Sequence, residues 1–202
     1  MRLATSLALL AALGTAAGAQ RAPNPAVDRL FATWDRPDSP GCAVSVVRDG
    51  RAVHRRGYGM AHLDHDVPNA PDAVYYVGSV SKQFTAAAIV LLAQEGKLSL
   101  DDDVRTHVPE LPDYRTPITI RHLLQHTSGL RDWGSVAAIG GWPRGTRTYT
   151  HAHMLDIASR QKALNYAPGA HYSYTNTGYN LLAVIVDRVS GMPFAQFTRT
   201  RL

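Results

Sequence analysis

The residues predict an α+β chain, and three stretches carry that prediction. Gly41–Arg48 and Arg51–Tyr58 are strand-like runs joined by Asp49-Gly50, a strong short-range hairpin signal. Phe84–Ala93 is a long apolar helix-forming segment opened by Gly78-Ser79-Val80-Ser81-Lys82. Asn176–Val189 reads as an amphipathic to buried helix behind the Pro168-Gly169 turn.

Residues 1–19 have the layout of a secretory signal peptide: Arg2, an apolar stretch Leu3–Leu13, and the small residues Ala17-Gly18-Ala19 before Gln20. The apolar stretch is too short and alanine-rich for a stable membrane span. Residues 20–202 are then expected to be exported, to the periplasm or outside, with no membrane span after cleavage. They are numerous enough for one core-forming domain. Cys42 is the single cysteine, so an intrachain disulfide is excluded, and its strand-like surroundings predict a buried, inert thiol. The formal charge of +5 becomes +4 without Arg2, and the arginines are scattered. With no basic stripe and no recognisable module, nucleic acid is not an expected partner.

Along the rest of the chain, Val27, Leu30, Phe31 and Trp34 recur at a helical period. A polar connection, Ala61–Pro71, precedes an expected third strand at Val74–Val77. The helix opened by Ser79 is expected to run to about Gln94, with Phe84, Ala88, Leu91 and Leu92 inward and Gly96 just past its end. Asp101–Asp103 reads as a solvated turn and helix start. Thr119–Gln125 and Thr150–Gln161 are further helices, the former with Ile120, Leu123 and Leu124 inward, whereas Arg131–Thr148 has no clear period. Another helix begins near Pro193. Neither His62-Leu63-Asp64-His65-Asp66 nor His151-Ala152-His153 has the spacing of a metal hydrolase, so no metal and no cofactor are expected.

Chemistry is concentrated in two places. On a helix, positions i and i+3 share a face, so Ser79 and Lys82 can meet in the first turn, where free N–H groups favour developing negative charge. A hydroxyl needs a nearby base to become a nucleophile, and a lysine of lowered pKa can be that base. Lysine occurs only at 82, 97 and 162, which makes its placement beside Ser79 more telling. A serine before a helix also serves simply as an N-cap. Tyr174 and Asn176, two apart just ahead of a helix, can face one cavity. A phenol beside an ammonium is a proton shuttle, and an asparagine amide offers both donor and acceptor. The plainer alternative is an N-cap asparagine with a tyrosine packed behind it. His126, in His126-Thr127-Ser128-Gly129-Leu130, reads locally as a packing or hydrogen-bonding residue.

Taken together, Ser79-Val80-Ser81-Lys82, His126–Leu130 and Tyr174-Thr175-Asn176 have the order and approximate spacing of a known family. The chain resembles the penicillin-recognising serine hydrolases, in the branch of class C β-lactamases, D-alanyl-D-alanine carboxypeptidases and esterases, from about Val27 to Leu202. The resemblance implies a β-lactamase/transpeptidase-like fold, an antiparallel sheet packed by helices with a helical subdomain. It implies Ser79 as acyl-enzyme nucleophile, Lys82 as its proton acceptor, and Tyr174 as assisting general base. It further implies Asn176 as the group orienting the substrate's acyl side chain, and the Ser79 N–H as one oxyanion donor. The implied substrate is a small molecule or peptidoglycan-like amide, β-lactam or ester. The family's third motif, a Lys- or His-containing triad ending in glycine, is expected downstream of Leu202. Residues 20–202 are thus expected to be the N-terminal portion of a hydrolase domain, C-terminally truncated, folding poorly and turning over little by themselves. The competing reading is a catalytically silent binding protein of the same fold.

Overall fold

The computed structural model describes residues 24–142, 145 and 148–202. The expected signal peptide lies outside the described residues. The chain divides into two compact units, one ending at Tyr76 and the other running from Val77 to Leu202.

In the first unit, Asn24 caps α1 (Pro25–Phe31) by accepting from the Ala26 N–H at 3.0 Å, with Pro25 supplying a preset φ at the first helical position. β1 (Cys42–Arg48) and β2 (Arg51–Tyr58) form the expected antiparallel hairpin, Cys42 opposite Tyr58, with a bulge between Val46 and Val47. Its turn has φ of 50° at Asp49 and 71° at Gly50. Two successive positive φ values match the right-handed twist of the strands, which is why Asp-Gly suits the position. The polar connection contains a minimal ribbon, β3 (Met60–His62) with β4 (Val67–Pro68). α1 is fastened to the hairpin by a network around Tyr58. Its hydroxyl donates to Asp28 Oδ1 at 2.8 Å and lies 2.9 Å from His54 Nε2. Phe31 stacks on its ring with centroids 4.8 Å apart.

Two expectations fail in this unit. Val74–Val77 forms no strand among the described residues: Val74 and Tyr76 are fully exposed and Val77 has a helical backbone ahead of the next turn. β-branched and aromatic residues favour an extended backbone, but a strand also needs a partner ladder. Cys42 is half-buried, because it stands at the first position of β1.

The second unit is helical. A single 3-10 turn, Gly78–Ser81, leads into α2 (Lys82–Gln94). There follow α3 (Val104–His107), α4 (Ile120–Leu124), α5 (Trp133–Ile139) and α6 (His151–Ser159). α7 (Asn176–Ser190) and α8 (Phe194–Arg201) complete the unit. Thr119 and Thr150 cap α4 and α6 reciprocally with His122 and His153. α7 is the central element. Leu181, Leu182, Ile185 and Val186 are fully buried against a core that includes Ala88, Ile89 and Leu92, Ile120 and Leu123, Met154 and Phe197. Each such aliphatic side chain contributes about 1.5–3 kcal/mol through removal from water. Gly178 lets α7 approach α4 closely, since a Cβ there would lie 3.2 Å from the Leu123 carbonyl oxygen. α2 ends as expected, with Gly96 at φ 68° and the Lys97 N–H returning to the Leu92 carbonyl. Its buried stripe is Thr85, Ala88, Ile89 and Leu92. Phe84, expected inward, is 50% exposed. In a segment apolar on all sides, composition alone does not say which stripe faces the core.

Candidate active site

Ser79 occupies the 3-10 turn rather than the first turn of α2, and Lys82 is the first α-helical residue. In 3-10 geometry, side chains at i and i+3 eclipse one another. Lys82 Nζ accordingly reaches Ser79 Oγ at 3.2 Å. The second strut is the extended segment before α7. There the Ser173 N–H donates to the His126 carbonyl at 2.8 Å and the Thr175 N–H donates to His126 Nδ1 at 3.3 Å. So held, Tyr174 places its hydroxyl 2.6 Å from Ser79 Oγ. Asn176, the first residue of α7, turns its Oδ1 toward Lys82 Nζ at 2.9 Å. Thr175, not Asn176, is the N-cap, its side chain accepting from the Thr177 N–H. All four residues singled out from the sequence therefore converge on one point.

His126 lies behind this group, as its local reading suggests. It is buried, adopts φ 58°, and packs its ring between Tyr174 and Tyr179, with centroid distances of 4.5 and 5.0 Å. Because Nδ1 accepts from Thr175, the neutral ring carries its proton on Nε2. Burial first, then the charge of Lys82, holds its pKa below the ordinary histidine value. Tyr179 is anchored by donating to the Leu124 carbonyl at 3.0 Å, and its ring face lies 5.6 Å from Lys82 Nζ. Gly129 is required where it stands: at φ 75° a Cβ would lie 2.3 Å from the Tyr166 carbonyl oxygen.

The phenol of Tyr174 is shifted below its ordinary pKa. The hydrogen bond with Lys82 is the largest cause, followed by that with Ser79, and burial opposes both. The ammonium also sits 4.9 Å from the Tyr174 ring centroid. The geometry thus offers a hydroxyl, a phenol eased toward ionisation 2.6 Å from it, and a cation within reach of serine, tyrosine and asparagine.

One member of this constellation escaped the sequence reading. Asp132 lies just ahead of α5 and caps it, Oδ1 accepting from the Ser135 N–H at 3.0 Å. Its Oδ2 accepts from both the backbone N–H and the side-chain Nδ2 of Asn176, each at 2.7 Å. An aspartate three residues ahead of Ser135 is a legible cap signal, but its hold on Asn176 spans 44 residues of sequence and has no local signature. Asp132, Gly134, Ser135, Ala138, Tyr174 and Asn176 line an open groove of about 540 Å³. Among the described residues, no three His, Cys, Asp or Glu side chains are grouped to hold a metal ion. Nor is any helix there long and apolar enough to cross a membrane.

A mixed fold with this arrangement defines a protein of the penicillin-binding and β-lactamase fold class. The Beta-lactamase family model matches residues 27–202, and the chain belongs to that family. It is 34% identical over 163 residues to Protein flp of Staphylococcus aureus (strain N315), an alignment covering 78% of this chain and 32% of that protein. Among solved structures, it is similar to the octameric penicillin-binding protein homologue from Pyrococcus abyssi. There the TM-score is 0.71 at 32% identity, covering 88% of this chain and 41% of the other. A D-stereospecific amidohydrolase from Streptomyces sp. gives a TM-score of 0.57 at 29% identity, covering 63% and 41%. The chain thus spans about a third of the length of the curated relative it matches.

Proposed function

We propose that the whole protein is an exported serine hydrolase that acts on an amide, ester or β-lactam through an acyl-enzyme on Ser79. The observation that carries this reading is the 2.6 Å approach of the Tyr174 hydroxyl to Ser79 Oγ, with Lys82 Nζ 3.2 Å from the same oxygen. Export is supported by the layout of residues 1–19.

In the proposed reaction, Ser79 Oγ attacks the acyl carbon while its proton passes to Tyr174, whose ionised form is favoured by Lys82. Lys82 takes part in the same proton-accepting unit and holds the serine and asparagine oxygens in place. The proton on Tyr174 then goes to the departing amine or alcohol as the carbonyl re-forms, leaving an ester on Ser79. A water molecule attacks that ester, gives its proton to Tyr174, and Ser79 is released with its proton restored. The Ser79 N–H serves as one oxyanion donor, and removal of such a donor typically costs about 10²–10³ in rate. Asn176, facing the groove, orients the acyl portion of the substrate. Similarity to a penicillin-binding protein homologue and to an amidohydrolase supports acyl transfer as the reaction class.

The test uses the full-length protein, incubated with a fluorophosphonate or penicillin probe and followed by intact mass and peptide mapping. The expected result is one adduct on Ser79, absent from Ser79→Ala. A folded full-length protein that forms no adduct overturns the proposal. Ligand binding that survives Ser79→Ala without turnover would instead identify a silent binding protein.

A further inference from the structure

Asn176 carries two demands at once. Its Oδ1 accepts from Lys82 Nζ at 2.9 Å, and its Nδ2 donates to Asp132 Oδ2 at 2.7 Å, in the wall of the groove that both residues line. An asparagine side chain is nearly symmetric in shape, so packing alone does not decide which end of the amide faces the lysine. A flipped amide would aim N–H hydrogens at an ammonium, donor against donor. Something must hold the amide one way round.

We infer that Asp132 is a positioning residue that fixes the orientation of the Asn176 amide and, through it, the placement of the Lys82 ammonium. Asp132 Oδ2 stands 2.7 Å from both Asn176 N and Nδ2, and a carboxylate only accepts, so only the NH₂ end can face it. The carbonyl end is thereby directed at Lys82. The three groups form a carboxylate–amide–ammonium relay in which each link has one allowed polarity. Hydrogen bonds to a charged acceptor are stronger and shorter than neutral ones, which suits an orienting role.

The frame that holds Asp132 is built for the purpose. Its other oxygen caps α5 through Ser135 N. On either side, Thr177 Oγ1 donates to the Arg131 carbonyl at 2.6 Å and accepts from the Trp133 N–H at 2.8 Å. Trp133 Nε1 adds a bond to Asn180 Oδ1 at 2.9 Å. Residues 131–133 are thus laced to the first two turns of α7, the helix that carries Asn176. Asp132 also lines the groove, but its Oδ2 already receives two N–H groups and its Oδ1 the cap of α5.

This inference rests on the proposed hydrolase reading, and the two are separable by experiment. In the full-length protein, Asp132→Ala and Asp132→Asn are compared with wild type for the rate at which a fluorophosphonate probe labels Ser79, with loss of fluoride, and, independently, by side-chain NMR of the Asn176 NH₂ and the Lys82 ε-position. Asp132→Ala is expected to slow this labelling by about tenfold to hundredfold. It should also move both NMR signals, with the fall appearing in the maximal labelling rate more than in the half-saturating probe concentration. Asp132→Asn keeps one acceptor oxygen and is expected to fall between the two. A further pair sharpens the point. Asn176→Asp alone sets two carboxylates against each other, whereas Asn176→Asp with Asp132→Asn restores one donor facing one acceptor. The double variant should therefore be labelled faster than Asn176→Asp alone. Unchanged NMR signals in folded Asp132→Ala, or a double variant no faster than the single one, would overturn the inference. A wild type that forms no adduct but whose Asn176 and Lys82 signals respond to Asp132→Ala would sink the hydrolase reading and leave the positioning role standing.

Discussion

Two tyrosines, one in each unit, show how the same side chain is put to opposite uses. Tyr58 in the first unit is 1% exposed and donates to the carboxylate of Asp28. Burial, followed by that hydrogen bond, pushes its phenol up to about 12. Tyr174 in the second unit is 45% exposed, and its nearest charged partner is the ammonium of Lys82, which draws the phenol down. A phenol held by a carboxylate must keep its proton to keep its bond. A phenol beside an ammonium gains by losing it. The first arrangement fastens a helix to a hairpin, and the second sets a phenol eased toward ionisation 2.6 Å from a serine. A tyrosine in a hydrogen-bond network is thus informative only once the sign of its partner is known.

The largest effect that tests this contrast is on chemistry. Tyr174→Phe removes the acceptor while leaving the ring that packs on His126. In the full-length protein it is expected to lower the acylation rate of Ser79 by about 10²–10⁴, the usual weight of a general base. The adduct should still form on Ser79. A rate within about threefold of wild type would assign the base role to Lys82 alone. That would break the comparison at its functional end.

At the other tyrosine the effect should be on stability. Tyr58→Phe leaves Asp28 Oδ1 without the hydroxyl donor and His54 Nε2 without its partner. A destabilisation of about 1–2 kcal/mol is expected, as for a lost buried hydrogen bond, measured by urea unfolding of the full-length protein. The pH dependence follows from the direction of the shift. Tyr58 titrates near 10 when unfolded and about 12 when folded, so the folded state favours the protonated phenol. Its contribution is fully present below pH 10 and is lost as pH rises toward 12. The gap between wild type and Tyr58→Phe should close over that window. A gap that stays constant would show that the phenol is not held by Asp28.

How much of this was legible depended on whether the governing interactions are local. Asp49-Gly50 encodes its own turn, and the hairpin followed directly. α7 is 15 residues long and has eight buried positions, so its helix stood out in the pattern. Ser79 and Lys82 are three apart, and any helical backbone brings them together, so the pair was readable even though the turn proved to be 3-10. Choices between nearly equal local states were not legible. The apolar surface of α2 extends all round, and the side facing the core left Phe84 out. Val74–Val77 has strand-forming residues, but a strand depends on what lies beside it. Asp132 was missed because the sequence of Arg131–Thr148 shows no clear period, and because its bonds to Asn176 join distant parts of the sequence.

The smallest effect concerns His126, which stands between the two cases because it is buried like Tyr58 yet packs on Tyr174. Its imidazole faces Tyr174, Tyr172 and Tyr179 and feels the charge of Lys82. Burial first, and then that positive charge, disfavour a second cation on the ring. Its Nδ1 is already occupied as an acceptor for the Thr175 N–H, so protonation there would break the bond that seats the segment carrying Tyr174. The folded pKa is therefore depressed, and the unfolded state binds the proton first as pH falls. Stability from the neutral ring is complete above about pH 6.5, the unfolded value, and declines as pH drops below it. His126→Gln retains an acceptor without a titrating group. Urea midpoints of the full-length wild type and His126→Gln at pH 7 and 5.5 should differ in their pH response by about 1 kcal/mol or less. The wild type should lose more. An equal response in both would mean that the ring tolerates its charge in the folded state, and that Lys82 exerts no electrostatic pressure on it.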